Sequence, residues 1–223
     1  MAKGLVDEQY LTAIANAIRT KSGTETQYKP SEMANAINSI PTEATPGYVS
    51  FYKYRGTSLD ISWLDVSNIT NMENMFGYCS NITTVDVSNW DTSNVTDMNS
   101  MFVDCRNLTT LDVSSWNTSN VTDMNSMFSS CNKLITVDVS NWNTSNVTDM
   151  GSMFSGCGKL TTLDISNWDT GNVTRSDYMF YGCGESLETP TTVFVKDAAM
   201  QQWVLNTSNV PASWSTANVI IKA

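Results

Sequence analysis

The sequence predicts an α/β solenoid, a fold in which short structural repeats stack along one axis. Its five cysteines recur every 26 residues, at Cys79, Cys105, Cys131, Cys157 and Cys183. Residues 91–98 return almost unchanged as residues 117–124 and again as residues 143–150. A fixed period of this size is the signature of a repeat protein in which each coil contacts its neighbours.

The third coil gives the order of elements within a repeat. Leu108, Leu111 and Val113 have the L-x-x-L-x-L spacing of leucine-rich repeats. This spacing predicts a short strand whose apolar side chains point inward. Residues 117–120 have the composition of a turn, and the apolar residues of 121–128 then follow at helical spacing. Each coil is therefore predicted to be a short parallel strand, a turn and about two turns of helix, with Thr122 as a helix cap and Asp123 at its positive end.

Apolar residues form columns from one coil to the next. The first column consists of inward aliphatic residues of the strands, and the second is mostly tryptophan. The third consists of aliphatic residues before the predicted helix, and the fourth of phenylalanines. The columns are Ile61, Val87, Val113, Val139, Ile165; Leu64, Trp90, Trp116, Trp142, Trp168; Ile69, Val95, Val121, Val147, Val173; and Phe76, Phe102, Phe128, Phe154, Phe180. Since large aromatic side chains bury much surface, these columns are expected to hold short coils together. The crossover rule for parallel strands predicts a right-handed stack of five coils.

The two ends differ from the repeats. Residues 1–40 read as two short helices and 41–58 as a linker followed by a capping strand at 48–54, before a solenoid over residues 59–189. The fifth coil departs from the pattern, as terminal repeats do, with Arg175 where the other coils have an acid or amide. Residues 190–223 are predicted to form a C-terminal cap. Its elements are a strand at 191–195, a helix at 197–205, Trp214 over the last coil and a strand at 219–221.

The composition of the chain limits the kinds of binding partner that we expect. The formal charge is −10 and the isoelectric point is about 4.3, which disfavours nucleic acid and anionic membranes. No apolar stretch reaches the length of a membrane span, and no secretory signal is recognisable, so no export of the chain is expected.

The cysteine column allows three interpretations. Metal binding requires ligands that converge on one point, and disulfides would leave one of five thiols unpaired. The third interpretation, small reduced thiols buried as hydrophobes, fits the periodic spacing and is the one we expect. The paired methionines at helical spacing are likewise expected to belong to the core.

A column of aspartates is the sharpest polar feature. Asp60, Asp86, Asp112, Asp138 and Asp164 are predicted to point outward from adjacent strands. Like charges at this spacing repel by about 1 kcal/mol or less in water, so the column can be a solvated face. It can also be a recognition face for a cationic partner, or share a Ca²⁺ between oxygens. The candidate ligand-binding residues are Asp86, Asp112, Asp138, Asp164, Ser88, Ser114, Ser140, Thr110 and Thr136.

Catalytic signatures are missing from the sequence. It contains no histidine, no G-x-S-x-G motif and no phosphate-binding loop. Paired carboxylates could in principle hydrolyse glycosides, yet a solvated column does not separate their pKa values. We therefore expect a protein that is not an enzyme and needs no cofactor.

The repeat motif at residues 86–105, with its copies, resembles the BspA-like class of bacterial leucine-rich-repeat proteins, and residues 193–198 resemble the cap that often follows such repeats. Members of that class are commonly surface proteins that bind host or matrix molecules, and they occur in bacteria, some protists and phages. The resemblance implies a leucine-rich-type solenoid. The surface proteins normally carry export signals and wall anchors, neither of which is recognisable here.

Residues 4–34 resemble a short N-terminal module of tailed-phage virion proteins, described as tail-fibre or minor tail proteins of phages that infect Gram-positive hosts. The resemblance implies attachment to a virus particle through residues 1–40. A generic helical hairpin is the alternative for this segment.

The expected function is a non-enzymatic virion protein of the tail-fibre or receptor-binding type. Its expected partners are other virion proteins and a host cell-surface polysaccharide or protein, its location is the virion, and homo-oligomerisation stays open. The alternatives are a capsid or tail decoration protein without a ligand, and a bacterial surface adhesin.

Overall fold

The computed structural model describes residues 49–61, 64–207 and 209–222. The helices predicted within residues 1–40 lie outside this part. The described elements are β1 (Ser58–Leu59), β2 (Thr84–Val85), β3 (Thr110–Leu111), β4 (Thr136–Val137), β5 (Thr162–Asp164), β6 (Thr192–Val195), α1 (Ala198–Leu205) and β7 (Val219–Ile221).

The strands stack in parallel, one per repeat. β1 pairs with β2, and β3 to β7 form a five-stranded sheet in chain order. Thr110 pairs with Thr136, and Thr136 with Thr162, which sets the register at the 26-residue period. Each strand is only two to four residues long. The sequence period is thus the step of a solenoid-like repeat fold, as predicted.

The predicted columns form the core. The five cysteines and the five phenylalanines of the column are at most 1% exposed. The rings lie nearly parallel: Trp116 and Trp142 have centroids 6.3 Å apart at 1°, and Trp142 and Trp168 are 6.5 Å apart at 3°. Each interior indole also donates a hydrogen bond to a carbonyl of the preceding repeat, as Trp142 Nε1 does to Val113 O at 3.1 Å. Identical side chains therefore bind the repeats together.

The helix predicted in each coil was wrong, because the backbone there pairs with the next repeat instead. Phe128 N donates to Met153 O at 2.9 Å and Ser130 N to Ser155 O at 2.6 Å, while Cys131 N closes a tight turn on Phe128 O at 3.1 Å. A helix would have used these N–H groups internally. The described residues contain one helix, α1, in the C-terminal cap.

The residues predicted to cap those helices have other roles. Thr122 Oγ1 donates to Thr96 O at 3.1 Å, which ties one repeat to the one before it. Asp123 Oδ1 accepts from Asn125 N at 2.8 Å, which closes a local turn. Both side chains thus stabilise the stacked turns.

The segment before the first repeat also differs from its prediction. Residues 49–54 contain no strand and one turn, at Tyr52 and Lys53, so the predicted strand was wrong for them. Phe51 nevertheless stacks on Phe76 at 5.4 Å, and Phe51 N donates to Met75 O at 2.6 Å. The segment extends the phenylalanine column by one ring.

The elements predicted in the C-terminal cap are confirmed within one or two residues. β6 pairs with β5, α1 begins after Asp197, whose side chain accepts a hydrogen bond from Met200 N at 2.8 Å, and β7 pairs with β6. Trp214 is 7% exposed and lies 5.2 Å from the Phe180 ring, so it covers the last phenylalanine of the column.

Replacing Ser130 by glycine is expected to stabilise the fold by up to about 1 kcal/mol, because Ser130 has a φ of 61° and left-handed backbone is costly for any residue with a Cβ. Gly156 and Gly182 occupy the same place in the next two repeats, with φ of 72° and 67°. Urea unfolding followed by circular dichroism measures the change. Ser129→Gly is the matched control, since the neighbouring residue is not left-handed, and it should destabilise; a stabilisation of equal size in both variants would contradict the explanation.

Candidate functional site

The outward side of the strands carries a groove of about 940 Å³. Threonines that begin the strands and aspartates that follow them face outward, because side chains alternate along a strand. The residues that line it are Ser58, Leu59, Asp60, Thr84, Val85, Asp86, Thr110, Leu111, Asp112, Ser114, Thr136, Val137, Asp138, Thr162, Asp164 and Phe194.

Seven of the nine predicted ligand-binding residues line this groove, and the other two support it. Ser88 and Ser140 do not line it, but each binds the aspartate two residues before it. The structure therefore brings the predicted residues to one surface.

Four aspartates of the row, Asp86, Asp112, Asp138 and Asp164, are each held by a serine of their own repeat. Asp112 Oδ1 accepts from Ser114 N at 3.1 Å and from Ser114 Oγ at 2.7 Å. The same pair of bonds recurs for Asp86, Asp138 and Asp164. Within the described part of the chain, no hydrogen bond reaches Oδ2 of Asp86, Asp112 or Asp138. Asp86, Asp112 and Asp138 thus present fixed carboxylates, each with its Oδ2 available.

These bonds favour the ionised form of Asp86 and Asp112. The hydroxyl of Ser88, and then its backbone N–H, lower the pKa of Asp86, and Ser114 lowers the pKa of Asp112 in the same way. The neighbouring charge of Asp86 raises the pKa of Asp112 by less than this. Hydrogen bonds to the charged form outweigh the repulsion between repeats.

The row is neutralised at its C-terminal end. Lys222 Nζ lies 2.6 Å from Asp164 Oδ2. Burial raises the pKa of Asp164, but the hydrogen bonds from Lys222 and Ser166 together lower it further than burial raises it. The free negative charge of the groove therefore lies over the earlier repeats.

Two apolar residues continue the row, and sequence reasoning missed them. The strand register places Phe194 beside Asp164 and Ile220 beside Phe194. Phe194 is half-buried and Ile220 is 38% exposed. The step from Thr162 to Thr192 exceeds the 26-residue period, so a search at fixed spacing does not reach these positions.

A second acidic row runs along the turns. Asp97, Asp123 and Asp149 pair in parallel from repeat to repeat. Burial raises the pKa of Asp97, the Asn99 N–H lowers it, and the charge of Asp123 raises it. Arg175 Nη1 closes this row at 3.0 Å from Asp149 Oδ2. Both acidic rows thus end on a cation.

The cysteines are free and buried, as expected. Cys131 Sγ donates to Phe102 O at 3.3 Å, and the other interior thiols make the same contact. In residues 49–61, 64–207 and 209–222, no three thiols or carboxylates are grouped so that they could hold a metal ion.

No helix in the described ranges combines the length and apolar character needed to span a bilayer.

Parallel repeats with a polar groove on their strand face define a solenoid-type repeat protein. The family described as "Mycoplasma protein of unknown function, DUF285" matches residues 48–137 and residues 111–217, and the chain belongs to this family. The matches overlap, as matches to a repeat array do, and they support the repeat part of the BspA-like resemblance. No curated protein and no solved structure matches the chain.

Proposed function

We propose that this chain is a non-enzymatic phage virion protein of the tail-fibre or receptor-binding type. Residues 1–40 attach it to the particle. A right-handed stack of five leucine-rich-type coils then presents the groove on its strand face to a polysaccharide or protein of the host cell surface.

The observation that carries the recognition role is the row of fixed carboxylates. Like charges on adjacent strands repel one another, so a row of aspartates has a cost in the sheet. Each carboxylate is nevertheless held in one orientation by a serine, as Asp112 is by Ser114 and Asp138 by Ser140. Acceptors that are already oriented lose little freedom when a ligand binds.

The resemblance of residues 4–34 to phage tail modules supports the virion role. A repeat solenoid suits such a role because its rigid extended surface can carry recognition residues while its ends attach elsewhere.

Replacing Asp112 and Asp138 together by asparagine is expected to reduce adsorption of the particle, or binding of the purified chain, to host cells at least tenfold. Asparagine keeps an Oδ1 that accepts the Ser114 and Ser140 hydrogen bonds, so the fold should persist while the charge is lost. The matched control is Asp123→Asn with Asp149→Asn, which removes the same charge from the second row.

Mass spectrometry and immunogold labelling of purified particles test the location independently. Absence of the chain from particles would contradict the virion role and favour a surface adhesin. Presence in particles with unchanged adsorption of the Asp112/Asp138 variant would favour a decoration protein without a ligand.

A further inference from the structure

The groove has two chemically different halves. Over β2, β3 and β4 it carries the available Oδ2 atoms of Asp86, Asp112 and Asp138. At β5, the carboxylate of Asp164 is paired with Lys222. Beyond β5, the strand register continues the row with Phe194 and then with Ile220 beside it. An acidic half therefore runs into an apolar end.

We propose that this groove binds an extended basic segment of a polypeptide, with lysine or arginine side chains over Asp86 to Asp138 and one apolar side chain against Phe194 and Ile220. The inference rests on the proposed recognition role and names its ligand class. It makes Phe194 a specificity-determining residue, since Phe194 takes the place of an aspartate in the row beside Asp164.

Charge complementarity is the reason for proposing a ligand with cationic side chains. Three carboxylates in one row, in a chain with a formal charge of −10, attract cations and repel nucleic acid or other polyanions. A neutral polysaccharide would cover these charges without compensating for their lost hydration.

The apolar end of the groove favours a polypeptide over other polycations. A linear polyamine could pair with the carboxylates but has no side chain for Phe194. Parallel strands repeat every ~4.8 Å, so β2 to β6 span about 19 Å, which is about six extended residues at ~3.3 Å each. A short basic segment with an apolar residue near one end therefore matches the groove in length, charge and polarity.

The experiment uses rhodamine-labelled seven-residue probes and the full chain, with binding followed by fluorescence anisotropy. Two probes alternate lysine and threonine and carry leucine at either the first or the last position; a third carries serine there. One leucine probe is expected to bind at least fivefold more tightly than the serine probe. Phe194→Ser should remove that difference, and Asp112→Asn with Asp138→Asn should weaken all probes about tenfold, with binding that falls as salt rises.

Ile220→Ser provides a second test at the same end, at an exposed position where folding is less at risk, and Asp123→Asn with Asp149→Asn is the charge control. Preference for neither leucine probe, or competition by spermine as strong as that of a leucine probe, would overturn the proposal. If no probe binds although the Asp112/Asp138 variant loses adsorption, the ligand class fails while the recognition role stands. If the probes bind as expected while particles lack the chain, the virion role fails and the ligand class stands.

Discussion

Stability is expected to fall steeply between about pH 9 and pH 11, by roughly 5–7 kcal/mol per pH unit when the thiol contribution is fully developed. The reason is the thiol column. Its five cysteines are at most 1% exposed and unbridged. Burial raises the pKa of Cys79 and of Cys183 to about 12 and raises the pKa of the other three thiols as well.

The sign follows from the proton balance. A cysteine in the unfolded chain ionises near pH 8.5, whereas the buried thiols stay protonated. Above that pH the unfolded chain therefore binds up to five fewer protons than the folded chain, and each missing proton lowers the free energy of unfolding by about 1.4 kcal/mol per pH unit. The stability is fully present below the unfolded pKa and is lost as the pH rises toward the folded one.

Urea unfolding at a series of pH values measures this slope, and Cys131→Ala isolates the thiols. The variant loses packing at every pH, but its slope should be shallower by about 1.4 kcal/mol per pH unit, because one titrating group is gone. Tyrosine and lysine ionisation is common to both proteins and cancels in the comparison. Equal slopes, or rapid reaction of the native thiols with a disulfide reagent at pH 8, would contradict the explanation.

The stacking itself could be predicted from the sequence because it depends on identity at a fixed period. When the same residue recurs every 26 positions, neighbouring repeats place it at the same point, and large apolar residues there must be buried. The burial of Trp142, Phe128 and Cys131 follows from this reasoning alone. The boundaries of β6 and α1 were predictable for a different reason, since they follow from the local residue pattern and not from the period; the structure adds that Asp197 caps α1.

The turn segments were mispredicted because apolar spacing does not reveal which partner a backbone N–H will choose. Residues 121–128 have helical spacing, yet Phe128 N bonds to the next repeat. A signal was present in the composition. Gly156, Gly182 and Ser130 recur at one place where a helix would disfavour glycine and where the structure has positive φ.

The groove could be predicted only where the period holds. Its aspartates follow the 26-residue step, but Phe194 and Ile220 join the row through strand register after a longer step. Arg175 could be seen as a departure from the pattern, while its pairing with Asp149 depends on distance in space. Contacts made by residues outside the 26-residue period therefore could not be predicted from the sequence. These residues lie at the end where the groove changes from acidic to apolar.

Truncating Trp142 to alanine is expected to destabilise the fold by about 3–5 kcal/mol, as for a large buried aromatic residue. Trp142 is 1% exposed and stacks between Trp116 and Trp168. Its removal opens a cavity between two repeat interfaces at once, and in a solenoid the interfaces between neighbours carry much of the stability. Trp142→Phe keeps a ring in the column but loses the hydrogen bond to Val113 O, so it should cost less, about 1–2 kcal/mol.

The matched control is Trp90, at the N-terminal end of the tryptophan column. Leu64 occupies the tryptophan position of the first repeat, so Trp90→Leu reproduces a residue that the column already contains beside it. Trp90 is 7% exposed and has a tryptophan on one side alone among the described residues. Trp142→Leu should therefore destabilise the protein clearly more than Trp90→Leu in urea unfolding. Equal costs at the two positions, or a cost below about 1 kcal/mol for Trp142→Ala, would mean that indole stacking does not hold the repeats together.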